Sequence, residues 1–545
     1  MSVSHWFRAP FRSCAALHIL ILVAGLCGAY ATSLSGHFIW DDNDLIVNND
    51  FIHSPEGYRD VFLNDIAAGI GEQYYYYRPL QMLTYWIEYR LWGLWAPGYR
   101  AVNLLLHLMA CLLLYRLVRG LAASSLTGLC AALLYGLHPV HAGAISYIAG
   151  RADPLAGVFL LVAISCHRKA VASGLRWPAI GAVAAYAAAL LSREHAIVFI
   201  GVIGAAHVAW RERRGLPLLL LYLAITAGYG FLRKELFPEL VVDMNMGALP
   251  ERLPVFFVAF ARYLRILIWP FPLQVDYGVV YFPWSDPRAI WGVGLFVVFL
   301  LAAGGLLWRK PSIGWGVSWY LVALLPFANL YPLNAYMAEH WLYVPWMGLA
   351  WAIVIGARAI WQRAGSPPAG PRWALVAFLG MALATAAQNR VWRDPIPFYK
   401  HMLRYSPDSV ILYNRLGLAL MEEQRWEEAA RAFERAVQVD AAYAPALHNL
   451  AVLHEQGGHD SAALDLYGRA VRSRPGQVKS WERLMGVVHR SGNRNWMADF
   501  VRQALPIHPQ PEQLEAWWRE QQLELSGGGG SDGGHPASGE EERRN

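Results

Sequence analysis

Residues 15–44, AALHILILVAGLCGAYATSLSGHFIWDDND, set the class of fold, because an apolar run is followed there by two adjacent carboxylates. The run from Ala15 to Leu34 is long enough to cross a bilayer as a helix. Asp41 and Asp42 then lie at the predicted membrane–water boundary, where a carboxylate can accept a proton from a hydroxyl. The alternative is that one of them caps a helix or pairs with an arginine.

The composition indicates that most of the chain lies in lipid. Of 545 residues, 56% are hydrophobic and 16% are charged, whereas soluble domains carry about 25% charged residues. The apolar runs stop near Ala387. We therefore predict an all-α protein with a membrane helix bundle over 1–390, including a first non-cytoplasmic loop at 35–98. A connector at 391–409 and a soluble helical domain follow.

Charge and cysteine placement exclude other classes of protein. The five cysteines all lie in apolar stretches, so neither a disulfide framework nor a CxxC metal site is predicted. The basic residues lie in short connections between apolar runs, which gives no support to a nucleic-acid partner.

The arginines predict about eleven membrane spans, because basic clusters mark the cytoplasmic side of alternate connections. The predicted spans are 15–34, 99–118, 121–138, 153–166, 177–192, 196–210, 216–232, 289–307, 313–328, 341–360 and 373–388. The apolar segment 253–269 carries Arg262 and Arg265 at its middle, each costing about 2.5–3.5 kcal/mol at the centre of a spanning helix. We predict that it is an amphipathic or re-entrant helix on the non-cytoplasmic face. The C-terminal domain then lies on the same side as Asp41.

A 34-residue period in the C-terminal part indicates tetratricopeptide repeats. The repeated positions are Ala436, Ala470 and Ala504, and Leu416, Leu450 and Leu484. We predict about three repeats over 410–520, with the third degraded, and a disordered Gly/Ser-rich tail over 521–545. Such arrays present a concave groove to peptides. The alternative is a scaffold that assembles other proteins.

Three arginines near span ends are candidates for binding a phosphate, since the planar guanidinium suits that group. They are Arg78, Arg151 and Arg193. The competing interpretations are an interfacial Arg/Tyr belt for Arg78 and a structural ion pair between Arg151 and Asp153. Glu194 is the expected partner of Arg193.

Other polar residues are candidates for supporting roles on the same membrane face. His138 and His141 are separated by Pro139, which breaks the helix that a two-histidine metal site would need. No metal site is therefore predicted, although a divalent metal is not excluded. Glu339 is a candidate for binding sugar hydroxyls, or for an ion pair with a nearby arginine.

The ordered motifs of the chain resemble a known family. They are FIWDDND (38–44), NND (48–50), YRPL (77–80), YRAVNLLLH (99–107), HPVH (138–141), GRAD (150–153), RE (193–194) and EHWLYVP (339–345). This set is similar to the multi-spanning GT-C protein O-mannosyltransferases that carry C-terminal tetratricopeptide repeats. The resemblance implies transfer of mannose from a polyprenyl-phosphate donor to Ser or Thr, with Asp41 and Asp42 as the catalytic pair.

The chain departs from the family pattern at three positions. Arg193 stands where animal members have Lys, His340 where they usually have Arg, and Trp346 where they have Ser. The repeat array is also shorter. These departures favour a bacterial relative and leave the acceptor open.

We therefore predict a membrane glycosyltransferase that uses a lipid-linked sugar as co-substrate, with no certain cofactor. Asp41 or Asp42 acts as base, and the arginines hold the lipid phosphate. A protein or peptide acceptor binds the repeat groove. The expected location is a bacterial inner membrane with the active site outside the cytoplasm, or the ER lumen in a eukaryote. The rivals are a non-catalytic membrane scaffold and a transporter, which would place its charges nearer mid-membrane.

Overall fold

The computed structural model describes residues 15–237, 248–274, 277–278, 280–331, 333, 335–365, 370–491, 501–502, 505–506 and 511–527. These ranges contain helices and no β-strand, which confirms the predicted all-α class. The chain divides into two compact units, Met1–Tyr405 and Ser406–Asn545.

The first unit is a bundle of helices joined by shorter helical segments. Its helices of nine or more residues, α1 to α14 in chain order, are Ala15–Tyr30, Pro79–Trp92, Ala96–Ala122, Ser125–Gly136, Ala152–Ser173, Arg176–Ser192, Phe199–Trp210, Leu216–Leu236, Leu249–Ile268, Pro287–Arg309, Pro311–Leu324, Tyr343–Arg363, Gly370–Val391 and Pro395–Leu403. The shorter segments are Ala31–Ser33, Asn43–Val47, Asp50–His53, Gly57–Leu63, Ala68–Ile70, Pro139–His141, Ala142–Ile145, Ile148–Arg151, Glu194–Val198, Leu325–Phe327 and Glu339–Leu342.

The chain is a multi-pass membrane protein. In the part of the chain that the structure describes, seven helices are long and apolar enough to cross a bilayer: Ala15–Ser33, Ala96–Ala122, Ile148–Ser173, Leu216–Leu236, Pro287–Arg309, Glu339–Arg363 and Arg372–Val391. Ser125–Gly136 and Pro139–Ile145 qualify together as an eighth, bent by 53°, where Pro139 has no N–H to continue the helix. The predicted spans at 177–192, 196–210 and 313–328 fall on shorter helices, so the count of eleven stays a prediction.

Helix α9 is amphipathic, as its charged middle predicts. Phe256, Phe260 and Tyr263 are buried, whereas Arg262 and Arg265 are exposed. The helix is not among those apolar enough to cross a bilayer. The side of the membrane on which it lies stays a prediction.

Arg100 ties the first loop to the end of the bundle. Its guanidinium is buried and donates to four carbonyls: those of Ser146 at 3.0 Å, Ser33 at 3.2 Å, Trp392 at 3.0 Å, and His37. These carbonyls belong to three segments that are far apart in the sequence, around residues 33–37, 146 and 392. The peptide groups of the loop add to this link, since the His37 N–H donates to the Arg393 carbonyl at 3.0 Å. The loop that carries Asp41 is therefore held by the segment that follows α13.

The second unit contains paired antiparallel helices. They are α15 Val410–Glu422, α16 Trp426–Val439, α17 Ala444–Gln456, α18 Asp460–Ser473, α19 Val478–Ser491 and α20 Pro511–Gly527. Ala429 and Ala463, small residues 34 positions apart, are fully buried where the paired helices meet. Residues 492–500, with Ala504, lie outside the described residues.

The predicted tail begins too early in the sequence. The last described helix, α20, runs to Gly527, so residues 521–527 are helical. Residues 528–545 are outside the part of the chain that the structure describes. The other domain boundaries stay predictions.

Candidate active site

The two adjacent carboxylates occupy different environments. Asp42 is fully buried: its Oδ1 accepts the Ala149 N–H at 2.8 Å and its Oδ2 accepts the Ile39 N–H at 3.0 Å. Asp42 therefore fastens the loop to the segment Ile148–Arg151. The expectation that both carboxylates lie at a hydrated boundary is wrong for Asp42, because the chain folds over it and supplies two N–H donors.

Asp41 is only half-buried and lies beside a tyrosine. Its N–H donates to the Tyr147 hydroxyl at 3.3 Å, and its side chain is also hydrogen-bonded to that hydroxyl. Trp40, immediately before it, has a left-handed backbone with φ of 59°. A bulky residue in this conformation costs energy and is typical of functional sites. The turn gives Asp41 and Asp42 opposite degrees of burial although they are neighbours.

Burial raises the pKa of Asp42 to about 7. Arg100 and the two N–H donors oppose this effect, and repulsion from Asp41 adds to it as the smallest cause. Repulsion between the two carboxylates, which the sequence suggested as the cause of a raised pKa, is thus secondary to removal of the group from water.

The stability of the protein should depend on pH through Asp42. The unfolded chain releases this proton near the ordinary value of 3.8, whereas the folded chain keeps it until about 7. A raised pKa contributes stability that is complete below the lower value and is lost as the pH rises through the upper one. We expect the melting temperature of the wild type to fall more between about pH 5 and about pH 8 than that of Asp42→Asn, which cannot titrate there. Equal slopes in thermal unfolding would contradict this assignment.

Arg78 forms a two-pronged ion pair with Glu194. Its Nε lies 3.0 Å from Oε2 and its Nη2 lies 2.6 Å from Oε1, while the Tyr76 ring lies 4.4 Å from the guanidinium carbon. The structure assigns no hydrogen bond to Nη1 within the described ranges, so one arm of the guanidinium stays available. Both interpretations of Arg78, a phosphate-binding residue and a member of an interfacial Arg/Tyr belt, stay predictions.

Arg193 pairs with Asp153 and not with the predicted Glu194. Its Nη1 lies 2.8 Å from Asp153 Oδ2, and its Nε donates to His195 Nδ1 at 3.3 Å. Sequence neighbours such as Arg193 and Glu194 diverge here because the backbone at Arg193 is extended before the Glu194–Val198 turn. The expected Arg151–Asp153 pair is also wrong, since Asp153 is taken by Arg193.

All five N–H donors of Arg151 are used in hydrogen bonds within the protein. Its side chain is fully buried, and each of its five donor positions has an acceptor. Nε donates to Asn103 at 2.7 Å, Nη1 to Thr84 at 2.9 Å and to Glu88, and Nη2 to Glu88 at 3.0 Å and to the Tyr99 carbonyl at 2.7 Å. An arginine has five N–H donors, so none remains for a phosphate.

The two histidines of the HPVH motif lie inside the bundle. His138 Nε2 lies 3.2 Å from the Leu267 carbonyl, and its Nδ1 accepts the Val140 N–H at 3.2 Å. His141 is packed among the rings of His107, Tyr135 and Tyr343. Within the described ranges, no group of three or more His, Cys, Asp or Glu residues is placed to hold a metal ion.

Glu339 accepts hydrogen bonds on one oxygen only. Its Oε1 takes the Tyr277 hydroxyl at 2.8 Å and the Gln274 N–H. No arginine of the described chain lies within ion-pair distance, so the predicted ion pair is wrong. Oε2 has no hydrogen-bond partner among the same residues and can accept from a ligand.

The structure brings four predicted residues into one region, together with His195. We call Arg78, Asp153, Arg193, Glu194 and His195 the charged cluster. Tyr76 interacts electrostatically with Arg78, Arg193 and Glu194 of the cluster and, as the smallest contribution, with Asp41. His340 interacts with Arg78 and Arg193, so the segment of Glu339 borders it. Arg151, His138 and His141 have structural contacts instead.

Sequence reasoning missed Tyr147, Glu88 and Arg233. Tyr147 holds Asp41, and Glu88 neutralises Arg151. Arg233 interacts with His195 of the charged cluster. One signal was available: Arg233 and Lys234 follow the predicted span 216–232 at its non-cytoplasmic end, contrary to the usual placement of basic residues.

Comparisons with known proteins agree with the resemblance drawn from the motifs. A family model described as tetratricopeptide repeat matches residues 420–487. The chain is 25% identical over 473 residues to protein O-mannosyl-transferase TMTC3 of Mus musculus, covering 77% of this chain and 51% of the relative. It is 24% identical over 455 residues to protein O-mannosyl-transferase F38B6.6 of Caenorhabditis elegans, covering 79% and 64%. The predicted similarity to repeat-carrying O-mannosyltransferases is thereby confirmed.

A shorter match and a solved structure complete the comparisons. Protein O-mannosyl-transferase Tmtc2 of Drosophila melanogaster is 35% identical over 182 residues, covering 31% of this chain and 19% of the relative. The crystal structure of ArnT from Cupriavidus metallidurans bound to undecaprenyl phosphate is 15% identical, with a TM-score of 0.42, covering 84% of this chain and 80% of that one. The chain spans about half the length of the mammalian relatives it matches.

Proposed function

We propose that this protein is a membrane glycosyltransferase that moves a sugar from a polyprenyl-phosphate donor to a hydroxyl acceptor. Relatives named protein O-mannosyl-transferase favour mannose as the sugar and protein Ser or Thr as the acceptor. One observation carries the proposal: a half-buried carboxylate, Asp41, and two arginines, Arg78 and Arg193, all interact electrostatically with the same side chain, Tyr76. A base and cations on one surface are what a displacement at a sugar phosphate requires.

Asp41 is the proposed base, and Asp42 is a positioning residue. Both oxygens of Asp42 accept buried N–H groups, so they cannot approach an acceptor. Asp41 is half-buried and is oriented by Tyr147. A base must be within hydrogen-bond reach of the proton that it takes. Of the two carboxylates, only Asp41 meets this requirement.

The reaction follows from these roles. The acceptor hydroxyl gives its proton to Asp41 while its oxygen forms a bond to the anomeric carbon. The bond from that carbon to the phosphate oxygen breaks, and its electron pair leaves with the lipid phosphate. The free arms of Arg78 and Arg193 stabilise the negative charge of the leaving group. One displacement inverts the configuration at the sugar. Glu339 Oε2 accepts a hydrogen bond from a sugar hydroxyl.

We place this site on the non-cytoplasmic face of a bacterial inner membrane. The alternation of basic clusters supports this side for the loop 35–98. The same count of spans places the repeats there too. The lumenal face of the ER is the equivalent location in a eukaryote.

The decisive experiment is a transfer assay with purified full-length protein in lipid nanodiscs. The substrates are polyprenyl-phosphate mannose with a labelled sugar and Ser/Thr-rich peptides. We expect labelled peptide to form and to be lost on β-elimination, which marks an O-linked sugar. Polyprenyl-phosphate glucose and a nucleotide sugar serve as comparison donors. Absence of transfer from every polyprenyl-phosphate sugar would contradict the proposal and favour the scaffold.

Removal of the second unit should slow the transfer of sugar to protein acceptors but leave the catalytic reaction itself intact. The candidate catalytic residues all lie in Met1–Tyr405, which is a compact unit of its own. Repeat arrays offer a binding groove and no reactive group. Tethering an acceptor to the same chain raises its effective concentration to about millimolar. We expect truncation after Tyr405 to lower transfer to a long acceptor about 10²-fold, measured as initial rates.

Two controls separate recruitment from damage to the enzyme. The truncated protein should act on a short peptide, which does not fill the groove, at nearly the wild-type rate. Its melting curve should show that the membrane unit is folded. Equal rates on long acceptors with and without the repeats would leave a scaffolding role for the second unit.

A further inference from the structure

Arg233 has no role in the proposed transfer reaction, although it lies near the charged cluster. It lies in the last turn of α8, and its Nη2 donates to the Tyr75 carbonyl at 2.9 Å. Its Nε is buried and has no hydrogen-bond partner among the described residues. A buried donor without a partner costs about 1–3 kcal/mol, so its retention favours a ligand that completes it.

Arg233 differs from the predicted phosphate-binding arginines because no described carboxylate forms an ion pair with it. Arg78 pairs with Glu194, Arg193 with Asp153, and Arg151 with Glu88. None of the described carboxylates lies within ion-pair distance of Arg233. The two pairs of the charged cluster balance each other in formal charge, and Arg233 adds one positive charge that no carboxylate of the described ranges pairs with.

Arg233 lies near both the charged cluster and the exposed surface of α8. Arg233 interacts electrostatically with His195, a member of the cluster, and with Tyr229. Tyr229 donates to the Tyr77 carbonyl at 3.4 Å, so this end of α8 is attached to the loop that precedes Arg78. On the other side, α8 has a single buried residue, Tyr222.

Exposed apolar side chains flank Arg233 on α8, where a polyprenyl chain could lie. Phe231 is 67% exposed and Leu232 is 40% exposed, within two residues of the guanidinium. An amphiphile with an apolar chain and an anionic head would lie along α8 with its head at Arg233.

We propose that Arg233 binds the phosphate of the polyprenyl-phosphate donor and of the lipid product. This inference rests on the proposed function and adds to it the residue that anchors the lipid head. The free Nε–H donates to one phosphate oxygen while the positive charge attracts the others. Arg78 and Arg193, already paired, then act mainly on the charge that develops as the sugar leaves.

The test is the binding of polyprenyl phosphate to full-length protein in nanodiscs, without a sugar donor or acceptor. Charge-assisted hydrogen bonds are worth about 1.5–3 kcal/mol, so we expect Arg233→Gln to raise Kd about tenfold or more. Arg233→Lys keeps the charge but loses the planar fork, and its Kd should rise about fivefold. Lys234→Gln, in the next position of the same helix, is the matched control and should bind as wild type.

The outcomes separate this inference from the proposed function. An unchanged Kd in folded Arg233→Gln overturns the inference, even if the wild type transfers sugar. If that variant does not fold, an unchanged Kd in Arg233→Lys overturns it. In transfer assays Arg233→Gln should raise the KM for the donor more than it lowers kcat. Weaker binding in Arg233→Gln together with no transfer by the wild type would support the anchor and contradict the proposed function.

Discussion

Asp41→Asn is expected to lower sugar transfer by about 10²–10⁴-fold, the usual contribution of a general base. Asparagine has nearly the same shape, so the Tyr147 contact to the Asp41 N–H can persist while the proton acceptor is lost. Because Asp41 is half-buried and does not carry the buried hydrogen bonds of its neighbour, the yield of folded protein should stay close to wild type. The measurement is kcat at saturating donor and acceptor.

Asp42→Asn is the matched control for Asp41→Asn. An amide can still accept one of the two N–H groups that Asp42 binds, so about one hydrogen bond is lost, worth about 1 kcal/mol. We expect less than tenfold loss of transfer. If Asp42→Asn instead abolishes transfer and Asp41→Asn retains it, the roles of base and positioning residue are reversed.

Glu88→Gln is expected to lower the yield of folded protein severalfold or more. Glu88 supplies two of the five acceptors of the fully buried Arg151. Removal of one partner of a buried ion pair typically costs about 3–5 kcal/mol, because the other charge is left uncompensated. The measurement is the yield of monodisperse protein and its melting temperature in detergent.

An exposed pair provides the control for Glu88→Gln. Arg59 and Glu56 lie 4.0 Å apart, with side chains 67% and 80% exposed. Glu56→Gln should change stability by less than about 1 kcal/mol, as for other surface ion pairs. A Glu88→Gln protein that melts like wild type but binds polyprenyl phosphate more weakly would restore Arg151 as a phosphate-binding residue.

The helices and repeats could be predicted because their signals are local. A run of apolar residues such as 289–307 requires only its own composition to be recognised as a span. The repeats depend on the same residue type recurring at a fixed interval, as at Ala436 and Ala470. Both patterns can be recognised in the sequence without knowing which distant parts of the chain are in contact.

The ion pairs could not be predicted because they depend on which helix ends are neighbours. Sequence shows that Arg78, Arg151 and Arg193 all lie near span ends, and several carboxylates lie there too. Their pairing joins residues 116, 63 and 40 positions apart. The burial of Asp42 has the same cause, since the N–H of Ala149 that covers it lies 107 positions away.

We expect the attachment of the first loop to the end of the bundle to delay the formation of the proposed site during synthesis. Trp40, next to Asp41, donates its N–H to the Tyr399 hydroxyl at 3.2 Å across 359 positions. A ribosome adding about 5–20 residues each second needs roughly 20–70 s to cover that interval. Throughout this time the loop that carries Asp41 lacks the Tyr399 hydroxyl as a hydrogen-bond partner. We therefore expect the nascent chain to acquire the proposed catalytic geometry only after Tyr399 has been synthesised, and a chain released earlier to be inactive in the transfer assay although it contains every candidate catalytic residue.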